Sequence, residues 1–150
     1  MKIDVELDLA GLKNLTTEQA MAVENDKAFW TFAAKEWHRL YSKYVPFDTG
    51  VLRDTVVITP GQIEHTSPYA HYQYTGDVYG PNYPFAHNGI VTGYFSPPNR
   101  KKSPTGKKLK YKNPLASREW DKKAESTQKD KLISAMQRYV DSGRLKLDDD

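Results

Sequence analysis

Pro46 constrains the fold of this chain more than any other residue. Up to Tyr44, apolar side chains recur mostly at steps of three and four: Val23, Phe29, Ala33, Trp37, Leu40 and Tyr44, widened by Trp30, Ala34 and Tyr41. That is the stripe of an amphipathic helix facing a core. Pro46 has no N–H to donate, and its ring pushes Val45 out of helical geometry, so the helix must stop there. Thr16 followed by Gln19 supplies the other end, because these side chains cap each other's backbone N–H groups. The pattern predicts one long helix between these two points.

On either side the period changes to two. Ile3, Val5, Leu7 and Leu9 alternate with Asp4, Glu6 and Asp8, which predicts a strand over 3–9. Gly11 and Asn14 then turn the chain. Thr55 to Thr59 is β-branched throughout and predicts a strand, with a turn at Pro60-Gly61 and a returning partner strand over 62–66. Pro68 opens a short helical turn through Tyr74 that Gly76 ends. Residues 77–93 are rich in Gly, Pro, Tyr and Asn, with a short strand over 89–92, and 96–113 is expected to be an extended arm. Asn113-Pro114 is the expected start of a last helix, with Trp120, Ala124, Leu132, Met136, Tyr139 and Val140 on its inner face. Ser126-Thr127 is expected to divide it and Gly143 to end it. The expected fold is α+β: a small antiparallel sheet packed against a long N-terminal helix and a C-terminal helix, with a long basic loop. Residues 1–143 form one domain in this reading, and 144–150 a frayed acidic tail. Phe29, Trp37, Tyr44 and Trp120 are its core anchors.

Length and composition exclude several classes. A chain of 150 residues fits one core. It has no cysteine, hence no disulfide and no thiolate metal site. No apolar run approaches the roughly 18 residues of a membrane span, and the alternating N-terminus lacks the apolar core of a secretion signal. A protein made in the cytoplasm is expected. The net charge of +3 is unevenly spread. Arg100, Lys101, Lys102, Lys107, Lys108, Lys110 and Lys112 fall within 96–113 with no acid among them, which leaves the rest of the chain at −4. This is a mildly acidic domain carrying one basic segment, not a generally basic nucleic-acid binder.

Catalytic patterns are sparse. Asp48-Thr49-Gly50 is the tripeptide of aspartic proteases, in which two carboxylates share one proton, so a chain this short would need to dimerise. Here the aspartate follows a helix end and Pro46 instead of an apolar strand, and Val51-Leu52-Arg53 comes next. A turn role, with the Asp48 carboxylate accepting from nearby backbone N–H groups, is the simpler reading. His38, His65, His71 and His87 have no spacing that puts two on one helix face, so neither a metal site nor a cofactor is expected. No Gly-x-Ser-x-Gly elbow and no phosphate loop is present. The tyrosine-rich stretch around Pro68, Tyr69, Ala70, Tyr72, Gln73 and Tyr74, continued by Tyr79, Tyr83, Phe85, Tyr94 and Phe95, is denser than a core of this size needs. It reads either as core and loop packing or as a protein–protein surface. The lysine-rich segment likewise reads as a solvated loop or as a phosphate contact, which would be independent of DNA sequence.

Taken in order, these residues resemble a known family. Met1-Lys2-Ile3 and Leu9-x-Gly11-Leu12 precede the helix that ends in Val45-Pro46. Thr49-Gly50-x-Leu52-Arg53 follows, then Ser67-Pro68-Tyr69-Ala70 with Gln73-Tyr74-x-Gly76, and finally Arg118-x-Trp120-Asp121-x-x-Ala124. The chain resembles the minor capsid proteins of long-tailed double-stranded DNA phages of Gram-positive hosts. These are related to the neck and tail-completion proteins that act where head meets tail. The resemblance implies a virion component without catalytic activity that forms a homo-oligomeric ring, six- or twelve-fold, around a DNA channel and docks on neck, portal-side or tail proteins. It also implies that Pro46, Thr49, Gly50 and Leu52 set a helix-to-sheet corner, where Arg53 binds a carboxylate or backbone carbonyls. The related neck proteins often carry an acid where this chain has Gln73, and the 77–113 region is longer than their pattern. The basic segment would reach a neighbouring ring or the passing DNA. A DNA-binding accessory protein using residues 100–112 is the alternative, and a dimeric aspartic protease the remote one.

Overall fold

The computed structural model describes residues 1–46, 51–81, 83–95 and 97–145. Thr16 accepts from the Gln19 N–H at 3.1 Å while Gln19 Oε1 accepts from the Thr16 N–H at 2.9 Å, so both halves of the capping box are present. The helix it starts, α1 (Thr17–Asn25), stops early. Asp26 adopts extended geometry and its carboxylate accepts from the Phe29 N–H at 3.0 Å, opening a second helix, α2 (Lys27–Tyr41). The one long helix expected from periodicity is therefore two. Both halves share the apolar stripe, which is why the break is invisible to the period. The indole of Trp30 spans the joint by donating to the Val23 carbonyl at 2.8 Å. A 3₁₀ turn over Ser42–Tyr44 finishes the run, and Val45 is extended before Pro46, as the proline requires.

The short helix α3 (Val51–Asp54) leads into the sheet. Strands β1 (Lys2–Asp4), β2 (Val56–Thr59) and β3 (Gln62–His65) pair antiparallel in the order β1-β3-β2. Register aligns Ile3, Ile63 and Ile58 across the sheet. Strand β1 is shorter than the 3–9 alternation predicts. Val5 still bonds to the Gly61 carbonyl at 2.8 Å, but Asp8 then caps a 3₁₀ turn over Leu9–Gly11. A local carboxylate cap competes with the strand and wins there.

After the sheet, α4 (Ala70–Thr75) ends on Gly76 in the left-handed region at φ 72°, as expected. A Cβ at Gly76 would lie 3.1 Å from both Arg118 Cβ and the Tyr111 hydroxyl, so close packing as well as φ selects glycine. The region beyond holds more order than its composition suggests. Strands β4 (Asp77–Gly80) and β7 (Ser103–Lys108) pair antiparallel, and between them β5 (Tyr83–His87) and β6 (Ile90–Phe95) form a hairpin. Its turn is Asn88-Gly89, both at positive φ, the signature of a tight hairpin that the sequence reading passed over. The expected basic loop thus includes a strand, and the four strands make one nested β-arm over 77–108.

The last helix, α5 (Trp120–Asp141), begins later than Pro114 and runs unbroken through Ser126-Thr127. Residues 114–119 turn instead, and Glu119 sits in the left-handed region with its N–H on the Tyr74 carbonyl at 2.8 Å. Helices α2 and α5 pack along their length, bringing Phe29 against Tyr139 and the Tyr44 hydroxyl within 2.9 Å of Thr127 Oγ1. Phe29, Trp37, Tyr44 and Trp120 are all buried between these helices and the sheet. Gly143 is again left-handed. Arg144 and Leu145 belong to the packed body, the guanidinium lying 4.6 Å from the Tyr139 ring centre and Leu145 being buried, so the frayed tail does not begin at 144. The acidic residues 148–150 lie outside the described residues. The architecture is α+β, with α2 packed on both the principal sheet and α5 and the β-arm following α4.

Candidate functional site

Sequence singled out two regions, the corner after Pro46 and the Pro68–Tyr74 segment. Phe47, Asp48, Thr49 and Gly50 lie outside the described residues. The geometry resumes at α3, whose last carbonyls have no helical N–H to accept from. Two imidazoles supply the donors. His38 Nε2 donates to the Arg53 carbonyl at 2.9 Å, and His65 Nδ1 donates to the Leu52 carbonyl at 3.0 Å. Because a carbonyl only accepts, His65 must carry its proton on Nδ1, which leaves Nε2 as an acceptor. The Tyr41 hydroxyl donates to it at 2.6 Å. Tyr41 and His65 are both buried. Burial pushes the Tyr41 hydroxyl far above the usual phenol range, and the nearby Asp121 adds to this. Burial also lowers the His65 pKa, only partly offset by its bond to Leu52. The pair is therefore a neutral clamp holding the corner to α2 and β3.

Sequence reasoning missed His38, Tyr41 and His65 as a unit. Strand parity carried part of the signal, since His65 shares the inward face with Ile63 while Gln62 and Glu64 face away. His38 and Tyr41 are three apart on α2, which places them on one side of it. Their meeting with His65 depends on the tertiary fold.

The Arg53 guanidinium binds the adjacent Asp54 at 2.8 Å at the surface, and this contact holds the Asp54 carboxyl below its usual range. Leu52 is half-buried against the core.

The Pro68–Tyr74 segment divides by face. Ala70 is buried. Tyr74 packs edge-on against Trp120, ring centres 4.9 Å apart, and donates to Asp121 Oδ1 at 2.7 Å. Burial first, and this carboxylate second, raise the Tyr74 pKa well above the ordinary phenol value. The Gln73 carbonyl accepts from the Tyr111 hydroxyl at 2.7 Å, and the Gly76 carbonyl from the Leu109 N–H at 2.8 Å. These bonds tie α4 inward to α5 and to the exit of β7. Pro68, Tyr69 and Tyr72 turn outward instead, and Tyr69 is 69 % exposed. Tyr72 stacks edge-on with Tyr79 at 4.8 Å, beside His71, which extends the aromatic surface onto β4.

The basic residues are spread along the arm. Lys101, Lys107 and Lys110 are exposed, and Lys112 is exposed at the strand's exit. Lys108 pairs with Asp77 across β4 and β7. Lys102 donates to the Pro81 carbonyl at 2.6 Å, and Arg100 to the Tyr83 hydroxyl at 2.7 Å. Among the described residues no group of three or more His, Asp or Glu side chains is placed to hold a metal, and no helix is long and apolar enough to cross a membrane.

Such a site offers clamped corners and exposed aromatic and basic surfaces, the equipment of a protein that works by contact. A family model described as minor capsid protein matches residues 3–140. The chain belongs to this phage minor capsid protein family, which gives it a structural role in the virion. No curated protein and no solved structure is matched by it.

Proposed function

We propose that this minor capsid protein acts at the head–tail junction as a neck, connector or tail-completion component. It self-assembles into a six- or twelve-fold ring and docks on neighbouring rings. No catalysis is involved. The observation that carries the reading is the outward aromatic surface of Tyr69 and Tyr72, backed by half-buried Tyr79, on a segment whose other face is locked into the core by Tyr74. Tyrosines held rigidly at a surface add contact area at low entropic cost, and tyrosine is enriched at binding hot spots. Arg53 would bind a carboxylate or carbonyls of a neighbouring subunit. Mass by light scattering over a range of concentrations tests this. A closed ring of six or twelve is expected, and a monomer both alone and with neck or portal-side proteins would refute it.

A second reading has its own support. From Val78 to Asn113 the chain has seven basic residues and no acidic one, as a DNA-binding accessory protein would need. It predicts affinity for duplex DNA that falls by nearly one log unit per log unit of salt for each phosphate neutralised. Absence of binding at low salt would dispose of it.

A further inference from the structure

We propose that the β-arm over 77–108 docks on the outer face of the three-stranded sheet of a second copy of this chain. This rests on the ring reading above and names the two surfaces that would meet. The hairpin of the arm leaves apolar side chains exposed. Ile90 is 68 % exposed and Val91 51 %, while Tyr83 and Phe95 pack on each other at the opposite end of the hairpin, still more than a third exposed. A two-stranded ribbon that buries so little is marginal in water and gains its stability from a surface laid against it.

The principal sheet provides such a surface with the opposite charge. One face of that sheet is sealed by Ile3, Ile58 and Ile63 against the core. The register then puts Lys2, Glu64 and Val57 in one outward row, and Asp4, Gln62 and Thr59 in the next. Exposed Glu6 and Asp8 follow β1 directly. The acids outnumber the single lysine there, whereas the arm beyond Asp77 has cations only. Among the described residues strand β2 is an edge strand, Val56–Thr59, and it carries no charge, proline or bulge to discourage pairing. Edges left in that state accept another strand. Arm and face are different patches of one chain, so the contact is head-to-tail and repeats from copy to copy, closing into a ring when the rotation allows.

Charge reversal tests the pairing without touching the core. The face variant is Glu6→Lys with Glu64→Lys, and the arm variant is Lys101→Glu with Lys107→Glu. Light scattering in DNA-free buffer reads the concentration for half-assembly, and thermal unfolding checks that each variant folds. Each variant alone is expected to raise that concentration at least about tenfold, because like charges then oppose each other. Mixing the two variants should restore assembly to near the wild-type concentration, since each then offers one surface of the reversed sign to the other. Assembly indifferent to both variants, or lost in each and not regained on mixing, overturns the docking while leaving a ring built through other surfaces. Wild-type protein that stays monomeric both alone and with neck or portal-side proteins overturns the ring reading and the docking with it. Loss of duplex-DNA binding in the arm variant, with unaltered assembly, would assign the lysines to DNA and also overturn the docking.

Discussion

Replacing Tyr41 with Phe removes one hydroxyl from the interior and should be felt well beyond the loss of one hydrogen bond. In the folded protein that hydroxyl donates to His65 Nε2 at 2.6 Å, while His65 Nδ1 is committed to the Leu52 carbonyl. The ring cannot switch tautomer without abandoning Leu52, and with 1 % of its surface exposed it has no water to turn to. An acceptor left unpaired at such depth costs about 1–3 kcal/mol. For a domain of this size each kcal/mol moves Tm by about 2–4 °C, so Tyr41→Phe should lower Tm by roughly 2–12 °C. The clamp also sets a pH dependence. Burial holds the folded His65 pKa below its ordinary value. The unfolded chain takes up a proton as the pH falls through about 6.5, and the folded chain does so only at its lower pKa. The unfolded state therefore binds more protons across that window, and stability falls with falling pH by up to about 1.4 kcal/mol per unit. Above about 6.5 the contribution is fully present. Urea titrations at intervals between pH 7.5 and 5 would measure this, with His65→Leu as the variant in which the slope flattens. A Tyr41→Phe protein within about 0.5 kcal/mol of wild type would refute the clamp, and an unchanged slope in His65→Leu would refute its titration.

Three further substitutions probe other parts of the structure. Asp26→Ala removes the carboxylate that opens α2 and should cost about 1 kcal/mol in urea unfolding, with helical circular dichroism otherwise retained. Gly76→Ala forces a side chain into the left-handed region and against Arg118, so a loss on the order of 2 kcal/mol is expected, larger than a routine surface change. Arg53→Ala should leave expression intact, since its pair with Asp54 is a surface contact worth little, while weakening assembly. Unaltered oligomers and infectivity would remove Arg53 from the interface. Deleting 101–112 is a poorer probe than its loop-like composition suggests, since it takes away β7 and unpairs β4.

Much of the frame was legible because it depends on neighbours in sequence. The capping box at Thr16 and Gln19, the stop before Pro46, the turn at Pro60-Gly61 and the cap at Gly76 each follow from local backbone chemistry, and each is present. The buried stripe from Val23 to Tyr44 follows from helical period. Errors fell where two local signals competed. Asp26 is a helix cap inside an apolar period, so the period alone predicted one helix where the carboxylate makes two. Asp8 capped a turn inside an alternation that looked like strand. Pro114 resembled a helix start, but the chain must first pass Tyr44 and Tyr74, whose carbonyls hold the Ser117 and Glu119 N–H groups.

What the sequence determined by itself, then, was class and segment: an α+β chain of helices broken at named residues, with motifs in a family order that the match over 3–140 supports. Tertiary structure alone decided which side chains act together. The distance from Tyr41 to His65 is 24 residues along the chain and 2.6 Å in space, and no period or propensity encodes a contact of that kind. The same holds for the lysines of 96–113, whose pattern reads as loop until β4 lies beside them. Strand pairing is a property of two segments, and a residue's own neighbours carry only half of it.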